Sequence, residues 1–326
     1  MDPQKLVGLL PGSVQQRLLA CIEPVPAPAR TAAGILGALG LLYLTNNALN
    51  SVALGNSARL QWDWRKEIVL VTGGCSGLGE LVVRKLAKRS VKVVVVDLQA
   101  PKTPLPSNVW FFKLDVTSTE DIKHVAQEIR KQVGDPTVLV NNAGIGYAKD
   151  ILKSTDDEIR RTFDVNIVAH FFLVREFLPF MIEKDHGHVI TIASMASFAT
   201  IASNTDYSCT KAAALAFHEG LTQELKYRYS APRVRTSIIH PSWVRTPLIE
   251  PLIETGRFTD SVLEPEYVAD AIVRQVIGGK SGQVILPGTL SLLSSLRGFP
   301  AWLQHLLRSS QADLLRIAEG LGRPRT

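Results

Sequence analysis

Cysteine is almost missing from this chain: Cys21, Cys75 and Cys209 are the only three in 326 residues. They are too few for a disulfide framework and lack metal-ligand spacing, which excludes a stapled secreted scaffold and a zinc module and fits a reducing compartment. Cys209 reads as a small core residue. No uninterrupted apolar run reaches the roughly 20 residues of a full membrane span. No cleavable export signal is legible either, because the apolar stretch begins late and has no small-residue cleavage site. The middle of the chain has no basic stripe interleaved with aromatics, so nucleic acid is not an expected partner.

The formal charge is +6, and the excess of Lys and Arg sits in residues 1–66 and 280–326, leaving the middle close to neutral. Basic, apolar flanks suit an anionic membrane surface. Residues 31–58 carry no charged side chain, and 32–44 is almost wholly apolar before Asn46, Asn47 and Asn50 interrupt it. This predicts a helix that inserts shallowly or spans marginally, with an earlier interfacial face at Leu6, Leu9, Leu10, Leu18 and Leu19. Beyond residue 287, leucines recur at helical spacing with Arg297, Arg308 and Arg316 among them. That amphipathic tail could lie on a membrane, cover a pocket, pair with a second subunit or pack on the domain. Three parts follow: a membrane-associating segment at 1–66, a catalytic domain at 67–287 and a tail at 288–326.

The glycine loop Thr72 to Gly79 follows the apolar run 68–71 and precedes a helical stretch at 81–88. Strand, glycine turn and helix start form a phosphate site: Gly73 permits the turn, Gly77 lets backbone approach a pyrophosphate, and Gly79 lets helix pack on strand. A second strand at 91–96 ends in Asp97, placed to accept hydrogen bonds from an adenosine ribose. Asp97 would repel a ribose 2'-phosphate, and neither Cys75 nor Leu98 offers a compensating charge, so NAD(H) is favoured. Lys102 keeps NADP(H) open. Further along, Tyr207 and Lys211 stand four apart on one helix face, so the lysine can approach the phenol. A phenol titrates near roughly 10, and lowering that by about three units takes about 4 kcal/mol of differential interaction. Ser194 would donate to the same substrate oxygen while hydride moves at carbon.

Taken together, these residues resemble a single-domain short-chain dehydrogenase/reductase over residues 67–287. The family's Thr-Gly-x-x-x-Gly-x-Gly stands as Thr72 to Gly79, which brings Cys75, Ser76 and Leu78 into the cofactor site beside the glycines. Its Asp115 and Val116 would contact adenine, and its Asn-Asn-Ala-Gly stands as Asn141, Asn142, Ala143 and Gly144. The catalytic set is matched by Asn166, Ser194, Tyr207 and Lys211, with Asn166 implied to hold a water that links Lys211 to solvent. Pro241, Val244 and Thr246 match the nicotinamide loop, although Ser242 stands where glycine is usual. The resemblance implies an α/β fold, a doubly wound Rossmann-type parallel sheet of seven strands with helices on both faces, and a homodimer interface on those helices is a family habit. The glycine spacing differs from that of the extended branch, which favours simple redox chemistry.

Short apolar runs at 109–114, 138–141, 189–193, 234–240 and 283–286 supply the remaining strands. Helices at 122–133, 159–180 and 212–225 place Phe163, Phe171, Phe172 and Phe217 in the core. The segment 241–260 is apolar where the family places a substrate lid, which implies a lipophilic substrate. With the anchor-like amino terminus, the chain is similar to the membrane-associated retinol and hydroxysteroid dehydrogenase branch. The expectation is an NAD(P)-dependent oxidoreductase of a retinoid, steroid or fatty alcohol, with its catalytic domain facing the cytoplasm from the endoplasmic reticulum or a lipid droplet. The alternatives are a membrane-tethered dinucleotide-binding protein without turnover, or a reductase of a secondary-metabolite pathway.

Overall fold

The computed structural model describes residues 27–56 and 61–318. The chain divides into two compact units, Met1–Ser57 and Ala58–Thr326. In the first, helix α1 (Ala27–Ala53) runs unbroken for 27 residues, so Asn46, Asn47 and Asn50 interrupt the apolar composition and not the helix. At 1.5 Å per residue that is about 40 Å, longer than a hydrocarbon core of roughly 30 Å. Its apolar side chains, Ile35 to Val52, are 56–69% exposed and face every side. The leucines at 6–19 and Cys21 lie outside the described residues.

The second unit is built on seven parallel strands: β1 (Ile68–Thr72), β2 (Lys92–Asp97), β3 (Val109–Lys113), β4 (Val138–Asn141), β5 (Gly187–Ile192), β6 (Val234–Pro241) and β7 (Gly282–Leu286). Their order is β3-β2-β1-β4-β5-β6-β7, so the direction of winding reverses between β1 and β4. In such a sheet the crevice at the carboxyl ends of the reversing strands takes the ligand. Every residue of β1 is buried, because helices cover both faces and a two-sided strand must be apolar throughout. Alternate residues feed two cores. Leu70 and Val94 pack with α3 (Thr119–Gln132) and Leu173 and Phe177. Val69 and Val93 pack with α2 (Gly77–Ala87) and Val268 and Ile272 of a later helix.

The single helix expected at 159–180 is three pieces: α4 (Asp156–Phe163), a π-helical turn (Asp164–Val168) and α5 (Ala169–Lys184). Thr155 and Glu158 start it with a reciprocal capping box. By length and composition, Asp156–Lys184 is apolar enough to cross a membrane. Its Leu173, Phe177 and Met181 are nonetheless buried in the domain core, so it is a core helix. Helix α6 (Thr205–Tyr227) carries Tyr207 and Lys211. Two core expectations fail here. Phe171 is 51% exposed and meets Phe217 edge to face from outside, because α5 turns it away from the sheet. Cys209 is exposed, since it falls between Tyr207 and Lys211 on the opposite side of α6.

The segment before β1 also differs from expectation. Trp62 and Trp64, placed in the membrane segment by sequence, stack at 5.1 Å and pack against the second core. Trp62 also lies 4.4 Å from the ring of His186, which in turn meets Glu67 at 3.0 Å. After β7 the chain continues as a 3-10 strap (Gly288–Gly298), α9 (Ala301–Ser309) and α10 (Leu314–Ala318), with α7 (Glu250–Glu254) and α8 (Pro265–Gly278) preceding β7. Leu296, Leu314 and Leu315 are buried, so the tail packs on the domain that precedes it.

Gly279, just past α8, has φ +55, and a Cβ added there would stand 2.0 Å from Trp62 Nε1. Gly279→Ala should therefore cost about 1–3 kcal/mol in urea unfolding. Gly288→Ala, where nothing lies within 4 Å of the added carbon, should stay within about 0.5 kcal/mol of the parent.

Candidate active site

Thr72 ends β1, and its hydroxyl accepts the backbone N–H groups of both Asn142 (3.0 Å) and Ala143 (2.9 Å). The Asn142 side chain answers by donating to the carbonyls of Thr72 (2.9 Å) and Gly73 (3.2 Å). This reciprocal set of four bonds locks the glycine loop to the end of β4, across the point where the winding reverses. Gly73 and Gly77 have φ +63 and +50, a region that favours glycine. A Cβ on Gly79 would fall 2.2 Å from the Gly73 carbonyl oxygen, so only glycine lets α2 approach the loop this closely. Ser76 precedes α2 but makes no side-chain cap bond, so it does not satisfy the first-turn amides. Those amides and the positive end of the helix suit a phosphate.

Asp97, at the end of β2, accepts the Cys75 amide at 3.0 Å and the Gln99 amide at 3.1 Å. Its carboxylate is thereby fixed over the glycine loop. The Cys75 thiol is pushed up to about 12, by burial first and then by the negative charges of Asp97 and Glu80. It is a neutral packing group at pH 7 and not a redox thiol.

Ser194 follows β5 and starts a 3-10 turn (Met195–Ser197) by accepting the Ala196 amide at 3.1 Å. Its hydroxyl lies 3.4 Å from the Pro241 carbonyl at the end of β6. Its own carbonyl accepts from Nδ1 of the buried His240 at 3.1 Å. A carbonyl can only accept, so Nδ1 carries the proton and Nε2 faces the Gln283 amide at 3.4 Å. Burial pushes His240 down to about 4, which keeps that tautomer neutral at pH 7.

Lys211 is 3% exposed, and its ammonium donates to the Ile192 carbonyl at 2.9 Å. The ammonium lies over the Tyr207 ring, 5.4 Å from its centroid. The Tyr207 phenol is pushed up to about 12 by burial, only partly offset by its hydrogen bond with Ser194. Burial also pushes Lys211 down to about 8. In both groups the loss of water is the largest cause of the shift.

One cavity of about 1010 Å³ is lined by Ser194, Tyr207, Lys211 and most of the motif residues assigned to the cofactor, with Thr72, Gly74, Asn141 and Asn166 outside its lining. Asn166 is fully buried behind it in the π-helical turn. Its oxygen accepts the Ile145 amide (2.8 Å), while its nitrogen donates to the Ile145 carbonyl (2.9 Å) and the Thr210 hydroxyl (3.1 Å). Its side chain is engaged in holding the strand end and α6 together. Ser242 is not among the described residues with positive φ, and its N–H donates to Leu286 at 2.8 Å, so the serine that replaces the usual glycine sits there without strain. The cavity also takes residues the sequence did not single out: Arg161 and Val165, and Leu290, Leu293, Gln311, Leu314 and Leu315 from the tail. For the tail residues, helical leucine spacing was the only signal.

The glycine cradle, the uncapped helix start and the fixed Asp97 fit a nicotinamide dinucleotide. Comparison with known proteins agrees. Residues 67–256 match the family model described as short chain dehydrogenase. The dehydrogenase RED2 of Cochliobolus heterostrophus is 42% identical over 205 residues, covering 62% of this chain and 77% of that protein. Estradiol 17-beta-dehydrogenase 11 of Rattus norvegicus is 35% identical over 244 residues, covering 72% and 80%. The structure of an aldohexose dehydrogenase from Thermoplasma acidophilum superposes with a TM-score of 0.61 at 24% identity, over 71% of this chain and 96% of that one, a likeness of fold.

The burial of Lys211 has a pH signature. An unfolded lysine holds its proton to about 10.5 and the folded one to about 8, so between these values the unfolded chain binds more protons and stability rises with pH. From pH 8 to 10 the parent protein should gain on the order of 3 kcal/mol relative to Lys211→Met in urea unfolding. Above pH 10 the raised Tyr207 phenol acts in the opposite direction, which sets the upper limit of the measurement.

Proposed function

The chain belongs to the short-chain dehydrogenase family and is an NAD(P)-dependent oxidoreductase acting between an alcohol and its carbonyl, and from that premise we propose that its substrate is lipophilic, a steroid, a retinoid or a long-chain alcohol. The carrying observation is the wall of the cavity beyond Ser194 and Tyr207, where Leu248, Ile249, Leu252, Leu290, Leu293 and Leu314 leave a large apolar chamber. The steroid for which the rat relative is named supports the same class.

Gly73, Ser76, Gly77 and Gly79 would hold the pyrophosphate, Asp97 the adenosine ribose, Asp115 and Val116 the adenine, and Asn142, Ala143, Gly144, Pro241, Val244 and Thr246 the nicotinamide half. A bound nicotinamide supplies or accepts the hydride. Tyr207 exchanges its phenolic proton with the substrate oxygen, and Ser194 donates a second hydrogen bond to that oxygen. Lys211 keeps the Tyr207 ring in place and presents its charge from below, held by the Ile192 carbonyl. Asn166 positions α6 through Thr210. Asp97 favours NAD(H), because its carboxylate occupies the place where a 2'-phosphate would come. Lys102, on the same cavity wall, is the one feature that leaves NADP(H) open.

The exposed α1, uncharged after Arg30, supports attachment to a membrane, with the catalytic unit on the cytoplasmic side of the endoplasmic reticulum or a lipid droplet. The unit from residue 58 onward would carry the chemistry, with the tail as part of its substrate lid. The half-exposed Phe171 on α5 supports a homodimer through that outer face.

Tyr207→Phe should lower hydride transfer by at least about 100-fold, read as absorbance at the dihydronicotinamide band, while dinucleotide affinity changes by less than about threefold. Steroids, retinoids and long-chain alcohols, each offered with NAD and NADP, form the substrate panel. Silence of the parent protein across that panel would sink the enzyme reading and favour a dinucleotide-binding protein without turnover. Asp97→Ser should raise the NADP-to-NAD ratio of kcat/KM by about tenfold or more; an unchanged ratio would remove Asp97 from cofactor choice.

A further inference from the structure

Ser197, in the turn that follows Ser194, is buried and engaged at three atoms. Its N–H donates to the Ser194 carbonyl at 2.9 Å. Its hydroxyl donates to the Lys211 carbonyl at 2.8 Å. Its carbonyl accepts from Arg297 Nη2 at 3.0 Å. The first two bonds hold the serine turn and the lysine helix in register. The third arrives from a segment 100 residues away in sequence, the 3-10 strap.

That strap separates two spaces. On one side Thr289, Leu290 and Leu293 line the apolar part of the large cavity. On the other, Ser294 and Arg297 line a second cavity of about 280 Å³, with Ser197 and Phe198 opposite. Between them Leu296 is 1% exposed and fixes the strap to the domain. A short 3-10 segment with one buried leucine cannot shift at Leu290 and Leu293 without moving Arg297, a single turn or two further on. The arginine is a charged donor on a neutral acceptor, among the stronger hydrogen bonds a surface segment can make.

We propose that Arg297 is a positioning residue that couples filling of the apolar chamber, through the strap and Ser197, to the alignment of Ser194 and Lys211. A substrate long enough to press on Leu290 and Leu293 seats the strap and tightens the arginine on the serine turn. A short alcohol, which never reaches those leucines, leaves the coupling unused. The proposal rests on the lipophilic-substrate reading for its kinetic consequence and on the hydrogen-bond network alone for its structural one.

Both consequences are testable on the full chain with dinucleotide bound. In Arg297→Ala, amides at 195–198 should exchange with deuterium about tenfold faster, and kcat for long apolar alcohols should fall by about tenfold. The KM for dinucleotide and the kcat for a short alcohol should stay within about twofold. Arg297→Lys, which keeps a charged donor, should restore at least half of the lost kcat. Should the alanine variant fail to fold, Arg297→Gln carries the same two measurements. Unchanged exchange at 195–198, or equal losses on short and long alcohols, would overturn the coupling. Absence of turnover in the parent protein would count against the substrate reading alone, since the exchange arm still decides whether Arg297 holds the serine turn.

Discussion

Burial of the Lys211 ammonium is the constraint around which the catalytic unit is arranged. A charge this deep needs partners for its donors, and the Ile192 carbonyl at the end of β5 takes one of the three at 2.9 Å. The bond requires α6 to lie against the open end of the sheet. The same placement sets Tyr207 beside Ser194 and lets Ser197 reach the Lys211 carbonyl. Asn166 completes the support from the other side through Thr210, and the π-helical turn that carries it gives the helix the extra residue this inward placement needs. Ser194 and Lys211 are therefore held by backbone carbonyls and amides of rigid elements, so their positions do not depend on exposed loops.

A second lock, Thr72 with Asn142, joins the glycine loop to β4. It ties the cradle of the glycine loop to the sheet through side-chain to backbone bonds. The substrate half is built differently, from α7, which buries no residue, the strap, which buries Leu296 alone, and α10, which buries Leu314 and Leu315. Two regions of unequal rigidity thus share one cavity, a tied cradle and a jointed apolar wall. That division suits an enzyme with one fixed cofactor and a bulky, flexible substrate.

Much of this was legible in the residues. The glycine loop between an apolar run and a helix, the carboxylate ending the next strand, and a tyrosine four before a lysine each have one local geometry that works, and the structure brings them to one cavity. The seven strands were readable because strands buried on both faces are nearly continuous runs of Val, Ile and Leu. Less legible were properties set by neighbours distant in sequence. Cys209 and Phe171 have core-like side chains and lie outside, because helix phase relative to the sheet decides the matter. The leucines of the tail announced a helix face, but four destinations were open to it. How deeply Tyr207 and Lys211 are buried was not legible either, because spacing on a helix says how near two groups are and not how much water each has lost.

By itself the sequence determined what depends on local stereochemistry: the αL glycines, the strand and helix periods, the doubly wound order of elements and the residue types able to move a proton and a hydride. Tertiary structure alone decided what depends on burial and on long-range closure: that Lys211 and Tyr207 are stripped of water, that the Asn166 side chain bonds Ile145 and Thr210, and that Arg297 ends on Ser197. The physical reason is the same in each case. Desolvation and hydrogen bonds between segments about 20 to 100 residues apart depend on the packed arrangement of the whole unit, which no window of the chain contains.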